Sequence, residues 1–317
     1  MSTLAAGPES KAVSSRQEHA KVNHMDTATL INSKEQDALP NRSIGAILID
    51  VGKLTPDKAE RILRLQRERG MRFGDAAIQL GLLTQADIDQ ALSRQFDYPY
   101  LMKGESRVSE TVVAAYNPFS AQVETLRALR SQLMLRWFDA DLGHKALAVT
   151  SPARGEGRSF LAANLAVVFS QLGERTLLID ADMRHPRQHE LFGLDNRNGL
   201  SAVIAGRAGA AEAIQRIPAL IDLSVMPSGP TPPNPQELLG RSPFAQLLRE
   251  LAPSYDVILI DTPAGSDCAD AQMVAGRTGA ALMVVRKNVS HIAAVRSLTD
   301  SLADARVMVV GSVLNEF

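Results

Sequence analysis

The chain has a single cysteine, Cys268, among its 317 residues. That excludes an internal disulfide framework and fits a reducing compartment, with a buried small hydrophobe as the simplest account of the thiol. No apolar run approaches the ~20 residues needed to cross a bilayer, and the first residues lack the charged start and apolar core of a secretory signal. A cytoplasmic location is therefore expected. Neither sign of charge dominates: 34 basic against 35 acidic side chains leave a net charge of -1, so no global field recruits nucleic acid or anionic lipid. Aromatics are also scarce, at 4%, whereas alanine, leucine and valine are abundant. This suits helices packed on a sheet of short apolar strands.

The length accommodates two folded units and a tail. Residues 1–41 are polar, with no sustained apolar periodicity, and read as a disordered leader. Residues 43–66 and 72–95 then form an internal repeat of 24 residues separated by five, pairing Gly45 with Gly74, Gly52 with Gly81, Leu63 with Leu92 and Gln66 with Gln95. Each copy reads as two short helices, with Gly52 or Gly81 ending the first and Thr55 or Thr84 capping the second. One helix pair cannot bury its apolar face alone, so the copies should stack into a helical repeat domain over 42–101. A linker is expected over 102–119, followed by an amphipathic helix at 120–137.

From 120 to 317 the pattern is that of an α/β unit with a doubly wound, mostly parallel sheet. Short apolar runs beginning at 146, 176, 256, 280 and 307 read as strands buried on both faces. Between the first strand and a very apolar helix lies SPARGEGRS, residues 151–159. A glycine turn leading into a helix N-terminus presents backbone N–H groups to an anion, and this is the chemistry of a phosphate cradle. The candidate nucleotide-binding residues are Ala153, Arg154, Gly155, Glu156, Gly157, Arg158, Ser159 and Phe160. A plain glycine turn is the competing reading. Ser159 is placed to coordinate magnesium, and Arg158 stands where a Walker A motif carries its lysine.

Three carboxylates sit at the ends of later strands, where ligands of open α/β sheets bind: Asp180 and Asp182 in LLIDADMR, and Asp261 in ILIDTP. Solvated strand-end acids explain one of them readily and all three poorly. With Ser159, Asp182 and Asp261 make a hard-cation site. Asp180 is the candidate base, Arg158 a second catalytic candidate, and Asn315 either reads a purine edge or is an ordinary turn asparagine.

On these motifs, and on the run PSGPTPPNPQELL at 227–239, the part from about 115 to 317 resembles the bacterial tyrosine kinases of exopolysaccharide biosynthesis, of the chain-length-determinant-associated EpsG type. The resemblance implies a P-loop NTPase fold of the deviant Walker, MinD-like kind. It also implies ATP and Mg2+ as cofactors, autophosphorylation on tyrosine, and a Wzz-like inner-membrane partner that would hold the protein at the membrane. Glu124, Arg127 and Arg130 match the pattern through which such kinases form rings. The family usually carries a terminal tyrosine cluster, whereas this chain has only Tyr98, Tyr100, Tyr116 and Tyr255.

The front repeat resembles the N-terminal domain of type II secretion and type IV pilus assembly ATPases, some of which bind cyclic di-GMP. That resemblance implies ligand contacts from Arg42, Ile44, Gly45, Leu63, Gln66, Arg72, Phe73, Gly74, Leu92 and Gln95. A purely structural repeat is the alternative. For the whole chain, a kinase or ATPase is expected first and a nucleotide-binding adaptor of weak catalysis second. A positioning ATPase of the MinD or ParA type ranks third, because those begin the loop with a lysine where Ala153 stands.

Overall fold

The computed structural model describes residues 43–95, 99–138, 143–218 and 220–316. The expected leader, Arg42 and Tyr98 lie outside the described residues.

Each repeat copy forms two helices: α1 (Ile44–Asp50) and α2 (Pro56–Arg69), then α3 (Phe73–Gln79) and α4 (Gln85–Gln95). The terminating glycines are left-handed, with φ 71° at Gly52 and 63° at Gly81, a conformation that a Cβ disfavours. Their amides fold back onto the preceding turn, Gly52 N to the Ile49 carbonyl and Gly81 N to that of Ile78. The two threonines differ. Thr84 and Asp87 cap reciprocally, with Asp87 N donating to Thr84 Oγ1 at 3.2 Å and Thr84 N to Asp87 Oδ2 at 2.9 Å. These bonds to Thr84 hold the Asp87 carboxyl below its ordinary range. Thr55 stands at the N-cap of α2 without a side-chain bond, and Pro56 opens that helix. The copies exchange partners: α1 packs on α4 and α2 on α3, enclosing Ile47, Leu48, Ile62, Ala76, Ala77 and Ile88.

Two helices follow, α5 (Val113–Tyr116) and α6 (Ala121–Arg136). Next come β1 (Ala146–Thr150), α7 (Arg158–Ser170), β2 (Thr176–Asp180), α8 (Gln188–Phe192), α9 (Leu200–Ile204), α10 (Ala210–Ala213) and β3 (Gln215–Arg216). The remainder is β4 (Leu223–Met226), α11 (Pro235–Gly240), α12 (Ser242–Leu251), β5 (Val257–Asp261), α13 (Asp270–Thr278), β6 (Ala280–Arg286), α14 (Ile292–Asp304) and β7 (Met308–Asn315). The strands form one sheet in the order β3-β4-β2-β5-β1-β6-β7. Every pairing is parallel except β3 with β4. The apolar runs read from the sequence are β1, β2, β5, β6 and β7; β4 and the two-residue β3 were not anticipated.

Alternate residues of each strand serve opposite cores. Leu147, Val149, Leu178 and Leu259 share one with α7. Ala148, Leu177, Ile179, Ile258 and Ile260 share the other with Phe244, Leu247 and Val274. Helix α7 is buried from Leu161 to Ser170, because β1, β2 and β5 lie beneath it and α5 and α6 cover it. It therefore has no polar face to display. The segment expected as a linker is part of this packing: Val112, Ala114 and Ala115 are fully buried. Ala114 N donates to Asn164 Oδ1 at 2.9 Å, and Gln171 Nε2 donates to the carbonyls of Pro99 and Ala114.

Candidate nucleotide-binding active site

The parallel neighbours β2, β5 and β1 bring three C-terminal strand ends together, and the loop from β1 leads into α7, whose Arg158 touches the acids that follow β2 and end β5. That loop takes φ 73° at Gly155 and 91° at Gly157. A Cβ at Gly155 would meet nothing, so backbone conformation rather than space selects glycine there. The loop and the N-terminus of α7 border a cavity of about 550 Å³ lined by Arg154, Gly155, Glu156, Gly157, Arg158, Ser159, Phe160, Asp182, His185, Arg187 and Arg286, among others. Guanidinium groups beside a helix N-terminus favour a polyanion. Ala153 is outside this lining but belongs to the same loop.

The loop is strapped from below. The Glu156 side chain is 1% exposed; its Oε2 accepts from Ala153 N at 2.9 Å, and its Oε1 accepts from the Ser290 hydroxyl. Asn315 Nδ2 donates to the Glu156 carbonyl at 3.1 Å, and Arg286 Nη1 to the Gly155 carbonyl at 3.1 Å. Arg154 pairs with Asp267. Two residues grouped with the phosphate cradle thus have their side chains committed to the protein, leaving their backbone for a ligand. Asn315, the last residue of β7, reaches the loop backbone rather than a turn of its own.

Asp180 and Asp261 are register partners across β2 and β5, and both are fully buried. Asp180 Oδ1 accepts from Asp182 N at 3.1 Å; its Oδ2 accepts from Arg187 N at 3.0 Å and Gln188 N at 2.9 Å. Burial first, and the neighbouring Asp261 second, push its carboxyl well above the usual carboxylate range. Burial also raises Asp261, opposed chiefly by the charge of Arg158. Asp182 Oδ1 accepts from the amides of Arg184 and His185.

Arg158 does not reach outward as a phosphate-binding lysine would. Its side chain is 8% exposed, with Nη2 at 3.1 Å from Asp182 Oδ2 and Nε at 3.5 Å from Asp261 Oδ1. Its Nη1 donates to Ser151 Oγ at 2.6 Å.

The family model of the cellulose biosynthesis protein BcsQ matches residues 144–311. The chain is 38% identical to the CapB protein of Staphylococcus aureus over 63% of its own length and 86% of CapB. It is 34% identical to the tyrosine-protein kinase YwqD of Bacillus subtilis over 66% of its own length and 87% of YwqD. The chain belongs to the bacterial tyrosine-protein kinase family. The solved kinase domain of the Escherichia coli tyrosine kinase ETK superposes with a TM-score of 0.61 at 34% identity, covering 65% of this chain and 79% of that domain.

Among the described residues no three His, Cys, Asp or Glu side chains group into a metal site of their own. The donor set nonetheless fits magnesium, a hard ion that takes oxygen ligands. Asp261 Oδ1 is buried without a hydrogen-bond partner, and the nearby Ser159 side chain helps to hold the pKa of that carboxyl down against its burial. Gln188, fully buried, was missed by sequence reasoning. Its Nε2 donates to Asp261 Oδ2 at 2.8 Å and to the Ser159 carbonyl at 3.1 Å, tying β5 to the start of α7. Ser151, the partner of Arg158, was missed as well. A glutamine eight positions beyond Asp180 carries no local signal.

The triplet on α6 is turned partly inward. Arg127 Nη1 pairs with Glu124 at 2.9 Å, and Arg130 Nη1 donates to the Val168 carbonyl at 2.6 Å. In the repeat, Ile44, Gly45, Leu63, Gln66, Phe73 and Gln95 line one cavity of about 500 Å³. Gly74 is outside it, close to Ile88, which a Cβ would approach to 3.1 Å. Leu92 packs on the repeat's core, and Arg72 is exposed at the start of α3.

Proposed function

We propose that the chain is an ATP-dependent protein-tyrosine kinase, autophosphorylating, that regulates exopolysaccharide polymerisation and export. The observation that carries this reading is the pairing of Asp180 with Asp261 at adjacent strand ends and the contact of Asp182 and Asp261 with Arg158, where the glycine loop enters α7. ATP would lie on the loop from Ala153 to Phe160, with Asn315 holding that loop at the base side. Mg2+, arriving with the phosphates near Ser159, Asp182 and Asp261, would neutralise charge on them. Asp180 would accept the proton of the attacking hydroxyl, its two oxygens being fixed in direction by three backbone amides. Incubation with γ-labelled ATP and Mg2+ should place phosphate on tyrosine, identified by acid-stable label and mass spectrometry. ATP binding with neither transfer nor hydrolysis would favour the adaptor reading, which the inward turn of Arg158 supports.

We assign 42–101 to the secretion-ATPase-like repeat domain, 102–119 to a packed connector and 120–317 to the kinase domain of EpsG type. Ring assembly through Glu124, Arg127 and Arg130, and docking to a Wzz-like membrane protein, follow from the resemblance. Among the described residues no helix is long and apolar enough to cross a membrane, which agrees with attachment through a partner. Cyclic di-GMP is assigned to the repeat cavity, where Phe73 offers a ring face and Gln66 and Gln95 offer amides. Titration calorimetry should detect cyclic di-GMP binding that weakens at least about tenfold in Phe73→Ala, a loss of one aromatic stacking contact. Equal heats for both proteins, or none for either, would reduce the repeat to a packing module.

A further inference from the structure

Among the described residues, the guanidinium enclosed within the carboxylate group lies where the magnesium charge would be needed. Arg158 is fixed there on three sides, by Asp182, Asp261 and the Ser151 hydroxyl. It begins α7, so its backbone stays at the phosphate cradle while only its side chain is turned away. Its Nε has no hydrogen-bond partner, and neither does the facing Asp261 Oδ1. The contact is thus a charge balance at 3.5 Å rather than a closed hydrogen-bonded pair, an arrangement that can be exchanged for another cation. A buried carboxylate without a counter-charge is strongly unfavourable.

We propose that Arg158 is a resident counter-cation: in the nucleotide-free protein it occupies the charge position of the magnesium ion, and Mg-nucleotide loading displaces it from Asp182 and Asp261 toward the phosphates. A lysine ammonium offers its donors from a single nitrogen, whereas the guanidinium reaches the serine and the two carboxylates from three separate ones. The arginine therefore does more than replace the Walker lysine. It neutralises the carboxylate group from within the protein and sets the metal in competition with a side chain. The inference rests on reading this cavity as a Mg-nucleotide site.

Thermal unfolding of the full chain without nucleotide tests it. The wild-type midpoint should be the same in EDTA and in ~10 mM MgCl2, whereas Arg158→Gln should melt lower in EDTA and gain at least about 3 °C from MgCl2. A folded Arg158→Gln indifferent to Mg2+, or a wild type that responds equally, overturns the proposal. A second measurement serves if that variant does not fold. In EDTA, Asp182→Asn should bind ADP about fivefold tighter or more by freeing the guanidinium, and the gain should vanish in Asp182→Asn with Arg158→Lys, whose ammonium lacks the fork. Persistence of the gain in the double variant assigns it to lost repulsion and overturns the proposal. If no protein binds ADP even with Mg2+, the nucleotide reading itself fails; ADP binding without the Mg2+ response removes the counter-cation alone.

Discussion

Asp180→Asn is expected to lower phosphoryl transfer to tyrosine about a hundred- to ten-thousand-fold, the usual contribution of a positioned proton acceptor. The effect should fall on kcat, with Mg-ADP affinity within about threefold of wild type, because Asp180 is absent from the cavity lining and acts on the acceptor. A structural cost accompanies it. Three backbone amides point at the two carboxylate oxygens, and the asparagine NH2 must face at least one of them, which costs about 1–3 kcal/mol. Urea unfolding of the same variant separates the two effects. The pH profile separates them further. Burial first, and the Asp261 carboxyl second, push the folded-state pKa of Asp180 well above the usual carboxylate range. The basic form therefore appears only as pH rises through that raised value, and the wild-type rate should climb there. The same shift means that the folded chain holds the proton more tightly than the unfolded one. Its contribution to stability is complete below the ordinary carboxylate range and is lost as pH rises through the raised value. Both limbs should flatten in Asp180→Asn. A variant that keeps the wild-type rate and profile would show that the proton goes elsewhere, and Asp180 would be left as the anchor of the turn into α8.

The physical reason for the legible parts of this fold is burial on two faces. β1, β2 and β5 read as unbroken apolar runs because they are buried on both sides, and α7 reads as apolar all round because it is enclosed. Gly155 and Gly157 were legible because only a residue without a Cβ turns that way cheaply. The strand-end position of Asp180, Asp182 and Asp261 followed from strand direction. What a sequence does not carry is the direction of a long side chain at a strand-to-helix turn. Arg158 could have extended to a phosphate or folded beneath the loop, and the choice depends on two carboxylates 24 and 103 positions away. Gln188 and Ser290 are invisible for the same reason. The short β4, LSVM, has too few residues and an interrupting serine to announce a strand. The connector around α5 looked like a linker because its buried residues are mostly small, so close approach to α7 substitutes for bulk.

Glu156→Ala should weaken nucleotide binding about tenfold or more while Glu156→Gln stays within about threefold, and the contrast between the two carries the argument. The glutamate lies inside the loop rather than on its ligand face: Ala153 N donates to one oxygen and the Ser290 hydroxyl to the other. Alanine leaves a partly buried amide without its acceptor and releases the first half of the loop from the turn after β6, a stability loss of about 1–3 kcal/mol. Glutamine restores both contacts with no charge, since its carbonyl can accept from Ala153 N and its NH2 can donate to Ser290 Oγ. If the negative charge itself mattered, for instance by setting the field at the phosphates, glutamine would fail as alanine does. The second half of the loop has independent ties, Arg286 to the Gly155 carbonyl and Asn315 to the Glu156 carbonyl. Hydrogen exchange should therefore quicken at Ala153 and Arg154 in Glu156→Ala and much less at Gly157 and Arg158. Uniform acceleration across the loop would mean that the glutamate alone holds it. A phosphate cradle works by aiming amides before the ligand arrives. The strap is the element that lets a loop of glycines, proline and arginines keep that aim.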